Sequence, residues 1–572
     1  MTTHYFNERM NIPLTITLVI LFLFAVISPA SSQQYDIVIR EGTVYDGGGL
    51  KPFVSDIGII GDSIAFIGVI PPRAGKDEIK AKGLAVAPGF INMLSQGQES
   101  MIEDGRAKSD VMQGVTLEVL GEGFSMGPIN ADMKKDLTES QADLKYDISW
   151  NTLGEYLSAL ERKGISPNVA SYIGATNVRG YYLGLSNRTA SPAELDSMKR
   201  LVKQGMREGA LGLSSALIYT PGVFASTDEL IALAKVASQY GGIYASHIRS
   251  EGNNLLSAVD ELIRIAREAN IPAEIFHFKA AGTQNWDKLD TAISMITAAQ
   301  ASGLKISADM YLYTAAATGL DASMPPWVQE GGYDEWVRRL KDPKIRARLK
   351  KEMATPGQDQ GWENFYFDAG NPERVLLVGF KADSLKKYTG MTLMRVAAMR
   401  NETPEDAMID LVIADGSRVG AVYFLMIEPG VRKVLKLPWV SFCSDEQCLA
   451  PEGALMNIFP HPRAYGAFAR LLGKYVRDEG RLPLEKAIHR LTAMPAGNLH
   501  ITRRGSLKPG QFADIVIFDP GSITDHATFD RPHQLSTGVR DVLVNGTLVV
   551  SHGEHTNAKP GRIVRGPGWN KP

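Results

Sequence analysis

Two histidines constrain the fold of this chain more than any other feature of its sequence. Between the first residues and Pro460, His247 and His277 are the only histidines, and each ends an apolar, strand-like run, GGIYASH or PAEIFH. The residues between the two runs repeat apolar side chains at helical spacing, which predicts an amphipathic helix. A strand–helix–strand unit of roughly thirty residues makes its two strands parallel neighbours. We therefore expect both imidazoles at the same end of one sheet, close enough to share a metal ion.

The composition excludes several classes of protein. The chain has 572 residues, of which 44% are hydrophobic and 22% are charged, and this is typical of a globular enzyme. The net charge of -2 gives no reason to expect a nucleic acid or an anionic membrane as a partner. Cys443 and Cys448 are too few for a disulfide scaffold, and they form either a local disulfide or two free thiols. Nothing in the pattern predicts the oligomeric state.

Residues 1–30 differ from the rest of the chain. Arg9 precedes the apolar run LTITLVILFLFAVI, and SPASSQQ follows it, which predicts a secretory signal peptide. The apolar run is shorter than the ~20 residues that cross a bilayer, so no stable membrane span is expected after cleavage. The alternative is a retained anchor. The prediction is an exported protein, periplasmic or secreted, of a bacterium.

The remaining sequence predicts an α/β protein with a composite second domain. Residues 33–88 and 498–560 have the texture of β-hairpins and are predicted to pair into a small β-sandwich. Residues 89–497 alternate strand-like and helical runs, which predicts a (β/α)8 TIM-like barrel inserted between them. ERVLLVGF and PWVSFCSD are two of its predicted strands. The polar, helical residues 315–372 interrupt the alternation and form either a lid above the barrel mouth or a surface excursion.

Several segments resemble the amidohydrolase superfamily, and within it the N-acyl-D-amino-acid deacylases. They are LAVAPGFIN, EGALGLSSALIYTPG, YASHIRSEG, HFKAAG, SADMYLYTAAATGL, CSDEQ and PHPRAYGAFARLLGKYVR, and they span most of the chain between Tyr35 and Gly553. The resemblance implies a zinc-dependent barrel with its site at the carboxyl ends of the strands, which is where the two histidines are expected. The implied reaction is hydrolysis of an N-acyl amino acid, a small-molecule substrate, at its amide bond.

The chain departs from the superfamily at the first barrel strand. That strand usually carries Asp-X-His-X-His, but the matching stretch here is NMLSQ, with Leu94 and Gln96 in place of both histidines. Leucine binds no metal, and a glutamine is at most a weak ligand. One divalent ion is therefore expected, held by His247, His277 and Glu122, which stands where the deacylases have a cysteine. The resemblance implies Zn²⁺, although these donors also suit Fe, Co or Mn.

The resemblance also implies the roles of two charged residues. Asp445 ends PWVSFCSD and is expected to act as the general base that passes a proton from the attacking water to the leaving nitrogen. Arg463 in PHPRAYG is expected to bind the substrate carboxylate through paired hydrogen bonds.

Three further residues are predicted to contact the substrate. Tyr219 would donate a hydrogen bond either to the scissile carbonyl or to the carboxylate. Lys279 would either support His277 or bind substrate directly. Ser215, with Ser214 beside it, would either line the pocket or fill a tight turn.

Two other functions fit the same residues. One is a dipeptidase of the same fold that acts on dipeptides containing a D-amino acid. The other is a non-catalytic binding protein that has lost its metal. Glu122 separates the binding protein from the enzymes, because two histidines alone would hold a metal poorly.

Overall fold

The computed structural model describes residues 1–4, 34–356 and 362–569. Residues 5–30 of the predicted signal peptide lie outside the described residues. Within the described ranges, every helix is too short or too polar to cross a membrane.

The two ends of the chain pair into one small β domain, where the sequence predicts a β-sandwich. Its head strands are β1 (Tyr35–Val44), β2 (Phe53–Ile60), β3 (Ser63–Gly68), β4 (Gly75–Lys80) and β5 (Ala85–Pro88). Its tail strands are β18 (Ile515–Phe518), β19 (Val539–Val544), β20 (Thr547–Ser551) and β21 (Glu554–His555). Among the described residues, the two sets form a single hydrogen-bonded sheet, because β5 pairs antiparallel with β18. Isoleucines and valines of both sets make its own small core.

Between these two sets, parallel strands alternate with helices, which confirms the barrel. The strands are β6 (Phe90–Ser95), β7 (Val115–Leu120), β8 (Asn168–Ser171), β9 (Ile173–Gly174), β10 (Gly212–Ala216), β11 (Ile243–His247), β12 (Ala273–Ile275) and β13 (Ile306–Ala308). Each pairs in parallel with its neighbour from β6 to β8 and from β9 to β13. An extended segment, residues 439–446, closes the circle. It pairs in parallel with β13 at Ala308, and its Asp445 N–H donates to Leu94 of β6.

Helices cover the outside of the barrel, and several have strong capping signals. Thr152 and Ser191 each begin a helix with a capping box, in which a glutamate three residues later completes the reciprocal hydrogen bonds. The helices before the interruption that follows β13 are Ser100–Glu103, Lys108–Val111, Ala131–Ser140, Leu153–Lys163, Ala175–Leu183, Pro192–Glu208, Thr227–Gln239, Leu255–Ala269 and Lys288–Ala301. Those after it are Glu428–Leu435, Arg463–Arg470, which continues as a π-helix over Leu471–Asp478, Leu484–Leu491 and Ala493–Asn498. Their apolar faces pack on the strands in one large core.

The interruption of the barrel is larger than the sequence pattern indicates. A four-stranded antiparallel sheet, which we call the lid sheet, lies between β13 and the closing segment and extends well past residue 372. The order of its strands is β14 (Ala316–Gly319), β17 (Gly420–Tyr423), β15 (Val375–Gly379), β16 (Met391–Thr392). Its helices are Pro326–Gln329, Tyr333–Leu340, Pro343–Met353, Phe365–Ala369, Leu393–Arg400 and Pro404–Asp415. ERVLLVGF, expected in the barrel, is β15 of this sheet. That prediction was wrong because a short apolar run does not reveal which sheet it joins.

Candidate metal centre

Three predicted ligands meet at the carboxyl ends of the barrel strands. Glu122 follows β7, His247 ends β11 and His277 follows β12. The Oε1 atom of Glu122 lies 2.9 Å from His247 Nδ1 and 2.9 Å from His277 Nε2. Both histidines are buried, with 4% and 3% of their surfaces exposed. The arrangement therefore offers a carboxylate and two imidazoles to one point, which is the donor set of a catalytic zinc site with an open position.

The turn that carries Glu122 needs glycine on both sides. Gly121 and Gly123 have φ values of 96° and 64°, which side chains other than glycine rarely adopt. A Cβ on Gly123 would lie 2.4 Å from the backbone nitrogen of Ala216. Ser214 of β10 fixes the turn, since its hydroxyl donates to the Gly121 carbonyl and accepts from the Gly123 N–H. The carboxylate of Glu122 is thus directed at the histidines by backbone geometry.

The charges of the centre are strongly coupled. Burial would raise the pKa of Glu122, but the hydrogen bonds from His247 and His277 hold that pKa well below its usual range. For His277, burial and Lys279 lower the pKa, but the carboxylates of Glu251, Asp445 and Glu122 outweigh them and raise it to about 10. The donors therefore sit in a surplus of negative charge that favours a cation.

Glu251, which no pattern in the sequence singles out, supports the imidazole of His277 and faces that of His247. Its Oε1 lies 2.9 Å from His277 Nδ1 and 2.5 Å from Lys279 Nζ. Its Oε2 lies 3.8 Å from His247 Nε2, and neither of these two buried atoms has a hydrogen-bond partner among the residues that the structure describes. Lys279 thus contacts His277 and Glu251, the supporting position that was one of its two predicted roles. The only signal in the sequence was a glutamate four residues after a histidine.

Asp445 faces the centre from the closing segment. Its Oδ1 accepts a hydrogen bond from Gln96 Nε2 at 3.2 Å, and the same amide nitrogen lies 2.5 Å from Glu122 Oε2. Asp445 has a φ of 50°, in the left-handed region. A strained backbone at such a position is typical of a functional site. Burial raises the pKa of Asp445, although Arg463 and His277 oppose that effect. The amide of Gln96 therefore donates to the carboxylates of both Glu122 and Asp445 and keeps them apart.

Arg463 is buried, with 2% of its surface exposed, and pairs with Asp445 at 2.9 Å. Its guanidinium also stacks on Tyr311 at 4.4 Å from the ring centroid. The Arg463 N–H donates to His461 Nδ1 at 3.0 Å. Burial lowers the pKa of His461 well below its usual value, so this ring is a neutral acceptor that positions the arginine.

Asp309, after β13, orients His277 through the backbone. Its Oδ1 accepts from the His277 N–H at 2.7 Å, where His277 has a φ of 37°. That hydrogen bond compensates part of the cost of a left-handed conformation at a non-glycine residue.

A cavity of about 730 Å³ opens onto the centre. Glu122, His247, His277, Asp445 and Arg463 all line it, as do Lys279 and Tyr219. The Tyr219 hydroxyl contacts Thr318 Oγ1 of the lid sheet at 2.8 Å, and the ring lies against His247. The lid sheet also lines the cavity through Ala316–Thr318 and Gly420.

Ser215 does not reach this cavity. Its hydroxyl contacts Tyr244 at 2.6 Å and Ser246 at 2.9 Å, and no part of it lines the pocket described above. Side chains alternate across a strand, so Ser214 and Ser215 of β10 point to opposite faces. Ser215 therefore packs against neighbouring strands outside the cavity. Ser214 is the serine that contacts the turn that carries Glu122.

The fold and this site define a metal-dependent hydrolase with a barrel inserted in a small β domain. Residues 77–550 match the amidohydrolase family, and the chain belongs to that family. It is 30% identical over 545 residues to the D-aminoacylase of Alcaligenes xylosoxydans xylosoxydans, covering 94% of this chain and 99% of that enzyme. It is also 30% identical to the N-acyl-D-glutamate deacylase of the same organism, covering 93% and 97% of the two chains.

A solved structure agrees with these sequence relatives. The N-acyl-D-glutamate deacylase of Bordetella bronchiseptica, in complex with zinc and a phosphonate inhibitor that mimics the tetrahedral intermediate of its reaction, superposes with a TM-score of 0.78 at 28% identity. The match covers 93% of this chain and 100% of that one. The resemblance seen in the sequence is thus confirmed, and the chain is an amidohydrolase that acts on amide bonds.

Proposed function

We propose that this protein hydrolyses N-acyl amino acids of D configuration to a carboxylic acid and a free amino acid, with one Zn²⁺ ion at Glu122, His247 and His277. The observation that carries the proposal is the convergence of these three donors in the cavity that Asp445 and Arg463 also line. The similarity to D-aminoacylase and to N-acyl-D-glutamate deacylase supports the substrate class and its configuration.

The donor set fits a metal ion. The Glu122 oxygen and the two histidine nitrogens are close enough to serve one cation, and all donor atoms lie within 4.8 Å of one another. Leu94 takes a position where the superfamily has a histidine and is buried among apolar side chains of the barrel interior, so these residues fit one ion better than two. A divalent metal supplies Lewis acidity, which lowers the pKa of a water molecule and polarises a carbonyl oxygen.

Asp445 is the proposed carrier of the proton. Its carboxylate would accept a proton from the attacking water, as the water oxygen bonds to the acyl carbon. When the carbon–nitrogen bond breaks, Asp445 returns that proton to the leaving nitrogen. Gln96 and Arg463 hold the two oxygens of this carboxylate at 3.2 and 2.9 Å, so the base is oriented before substrate arrives.

Arg463 and Tyr219 would orient the substrate. The guanidinium is buried beside the centre and offers paired donors to the carboxylate of an amino acid, which fixes the chirality presented to Asp445. Burial and the neighbouring Glu122 raise the pKa of Tyr219, so its hydroxyl stays protonated and can donate to the scissile carbonyl.

The test is a panel of N-acetyl-D-amino acids, their L enantiomers, dipeptides with a D residue, and hydantoins, assayed for released amine. Turnover of the N-acetyl-D-amino acids alone is the expected result. Preference for the dipeptides would make the protein a peptidase of the same fold. Binding of N-acetyl-D-amino acids by calorimetry without release of amine, in zinc-loaded protein, would identify a binding protein and overturn the proposal.

We also propose that the enzyme is exported. The basic residue, apolar run and small residues within positions 1–30 support cleavage near Ala30. N-terminal sequencing of the protein from the periplasm of an expressing bacterium is expected to begin just after that residue. An intact N-terminus in the cytoplasmic fraction would contradict export.

A further inference from the structure

A second group of ionisable side chains lies on the other face of β7. Leu117 and Val119 of this strand pack inside the barrel. Glu118 lies between them in sequence, and alternation directs its side chain toward the helix layer. There it meets Asp110 of the helix Lys108–Val111 and Cys448, whose thiol belongs to the apolar core between strands and helices. We call Asp110, Glu118 and Cys448 the outer cluster; none of the three lines the cavity of the metal centre.

The donor atoms of the outer cluster converge. A carboxylate oxygen of Asp110, one of Glu118 and the sulfur of Cys448 lie within 4.8 Å of one another. The three residues are essentially inaccessible to solvent, with exposures of 1%, 0% and 0%. Both cysteines of the chain are free, so no disulfide occupies this sulfur.

Each carboxylate leaves one oxygen without a partner. Asn92 Nδ2 donates to Glu118 Oε2 at 2.8 Å, and Ser109 Oγ donates to Asp110 Oδ2 at 2.6 Å. Glu118 Oε1 and Asp110 Oδ1 are buried and accept no hydrogen bond within the described residues. A buried carboxylate oxygen without a partner is costly, and these two lie beside the Cys448 sulfur, whose contact in this region is with Ser95 Oγ at 3.3 Å.

No cationic side chain compensates the outer cluster. Among the described residues, no Lys or Arg forms an ion pair or hydrogen bond with Asp110, Glu118 or Cys448. Burial raises the pKa of Asp110 well above its usual range, and the nearby Glu118 carboxylate adds to this effect. Burial also raises the pKa of Glu118 to about 7. The cluster must therefore take up either protons or a cation.

We propose that Asp110, Glu118 and Cys448 form a second metal site, structural rather than catalytic, for a thiophilic divalent cation such as Zn²⁺. The thiolate disfavours Mg²⁺ and Ca²⁺, whereas zinc accepts sulfur and carboxylate ligands together. Binding displaces the thiol proton and any proton on the carboxylates, so the site becomes stronger as pH rises.

The position of this second site indicates what a bound cation would do for the first centre. Glu118 lies on β7, four residues before Glu122 in the turn that follows the strand, and Cys448 lies three residues after Asp445. A cation held at the outer cluster would join β7 to the segment that closes the barrel. It would thus fix the separation between the predicted metal ligand Glu122 and the predicted base Asp445, without touching substrate.

Cobalt separates the two sites by spectroscopy. The first centre has only oxygen and nitrogen donors, so a thiolate-to-cobalt charge-transfer band in the near ultraviolet can come only from a cysteine. The full-length protein is produced in medium with Co²⁺ as the supplied metal, so that the buried site is loaded as the chain folds. About two cobalt ions per chain and a thiolate band are expected.

Cysteine variants show which thiolate gives the charge-transfer band. Cys448→Ser is expected to abolish the band and to lower the cobalt content to about one ion per chain, while Cys443→Ser, a matched change at the other buried thiol, leaves both unchanged. Should Cys448→Ser fail to fold, Asp110→Asn keeps the thiol and the shape but removes a charged ligand, and it is expected to lose the band as well.

Two results would overturn this second site. One is wild-type protein with about one cobalt per chain and no sulfur band; the other is a band that persists in Cys448→Ser. Glu122→Ala separates the two proposals, since it should lose the first ion and keep the band. A protein that hydrolyses no amide but shows the band retains the second site and loses only the proposed function.

Discussion

Two glutamates four residues apart, Glu118 on β7 and Glu122 in the turn after it, have opposite electrostatics. Glu122 lies beside two histidines, and the pKa of its carboxyl is held well below the usual value. Glu118 has Asn92 as a hydrogen-bond donor and, within the described part of the chain, no cationic partner; burial raises the pKa of its carboxyl to about 7. Burial is common to both, so the partners decide which carboxylate is charged.

The two glutamates differ in the charged groups that surround them. Around Glu122, three cationic or potentially cationic groups, His277, Lys279 and Arg463, face the carboxylates of Glu251 and Asp445. Around Glu118, two carboxyls and a thiol have no counter-charge among the described residues. The first arrangement is ready to bind a metal and a charged substrate, whereas the second is stable only with added protons or an added cation.

The largest expected effect is at Glu122. Glu122→Gln removes the charged ligand at constant shape and is expected to lower kcat/KM by about 10⁴-fold, because Lewis acid activation is worth several kcal/mol. Glu122→Cys restores an anionic ligand and should retain bound metal and most of the activity. Metal content and kinetics of both variants check this, and full activity in Glu122→Gln would show that Glu122 is not a ligand.

The next effect is at the proposed base. Asp445→Asn is expected to lower kcat by about 10³-fold while metal content stays unchanged, since general acid–base catalysis contributes about that much. Kinetics and metal analysis on the same preparation separate chemistry from binding. Loss of the metal together with activity would instead assign Asp445 to metal retention.

Because of the outer cluster, the free energy of unfolding of the metal-free protein is expected to depend on pH. The pKa of Glu118 is about 7 when folded, above its ordinary value near 4.5, so the folded state keeps a proton that the unfolded chain loses. Stability is therefore expected to fall as pH rises from about 4.5 to about 7, by up to about 3 kcal/mol. Denaturant unfolding at a series of pH values measures it. Glu118→Gln should flatten this slope, and an equal slope in the variant would contradict the assignment.

A smaller effect on catalysis is expected when the planar guanidinium of Arg463, beside Asp445, is replaced by an ammonium group of the same charge. Arg463→Lys is expected to raise KM by about 10- to 100-fold, because a hydrogen-bonded charge contributes about 1.5–3 kcal/mol. Arg470→Lys, a matched change that pairs with Asp525 outside the cavity, should leave KM unchanged. An unchanged KM in Arg463→Lys would remove Arg463 from substrate binding.

The smallest predicted effect concerns the turn of Glu122. Ser214→Ala removes the hydroxyl that bridges Gly121 and Gly123 and is expected to weaken metal affinity about tenfold, in line with other supporting residues. Ser215→Ala is the control, since that hydroxyl lies away from the centre. Equal metal affinities in the two variants would show that the turn does not depend on Ser214.

The sequence predicted the parts of the site that follow from strand ends. His247 and His277 terminate runs that neighbour each other in any parallel sheet, so their meeting follows from topology alone. Glu251 was missed because its position depends on how the loop after β11 folds back, and no periodicity encodes that. Ser215 was placed wrongly because the register of β10 decides which of two serines faces inward.

The lid sheet and the outer cluster could not be predicted either, because each joins residues that are far apart in the sequence. ERVLLVGF is apolar enough for any buried strand, and only pairing with β16 and β17 puts it in the lid sheet. Asp110, Glu118 and Cys448 are separated by up to 338 positions in the sequence, so only the closed barrel brings them together.

Glu122, His247 and His277 are the proposed ligands of the catalytic metal ion. Crystals of the zinc-loaded protein, measured on both sides of the zinc absorption edge, test it directly through the anomalous difference map. A strong peak is expected between these three side chains. An active protein whose map has no peak there would contradict it.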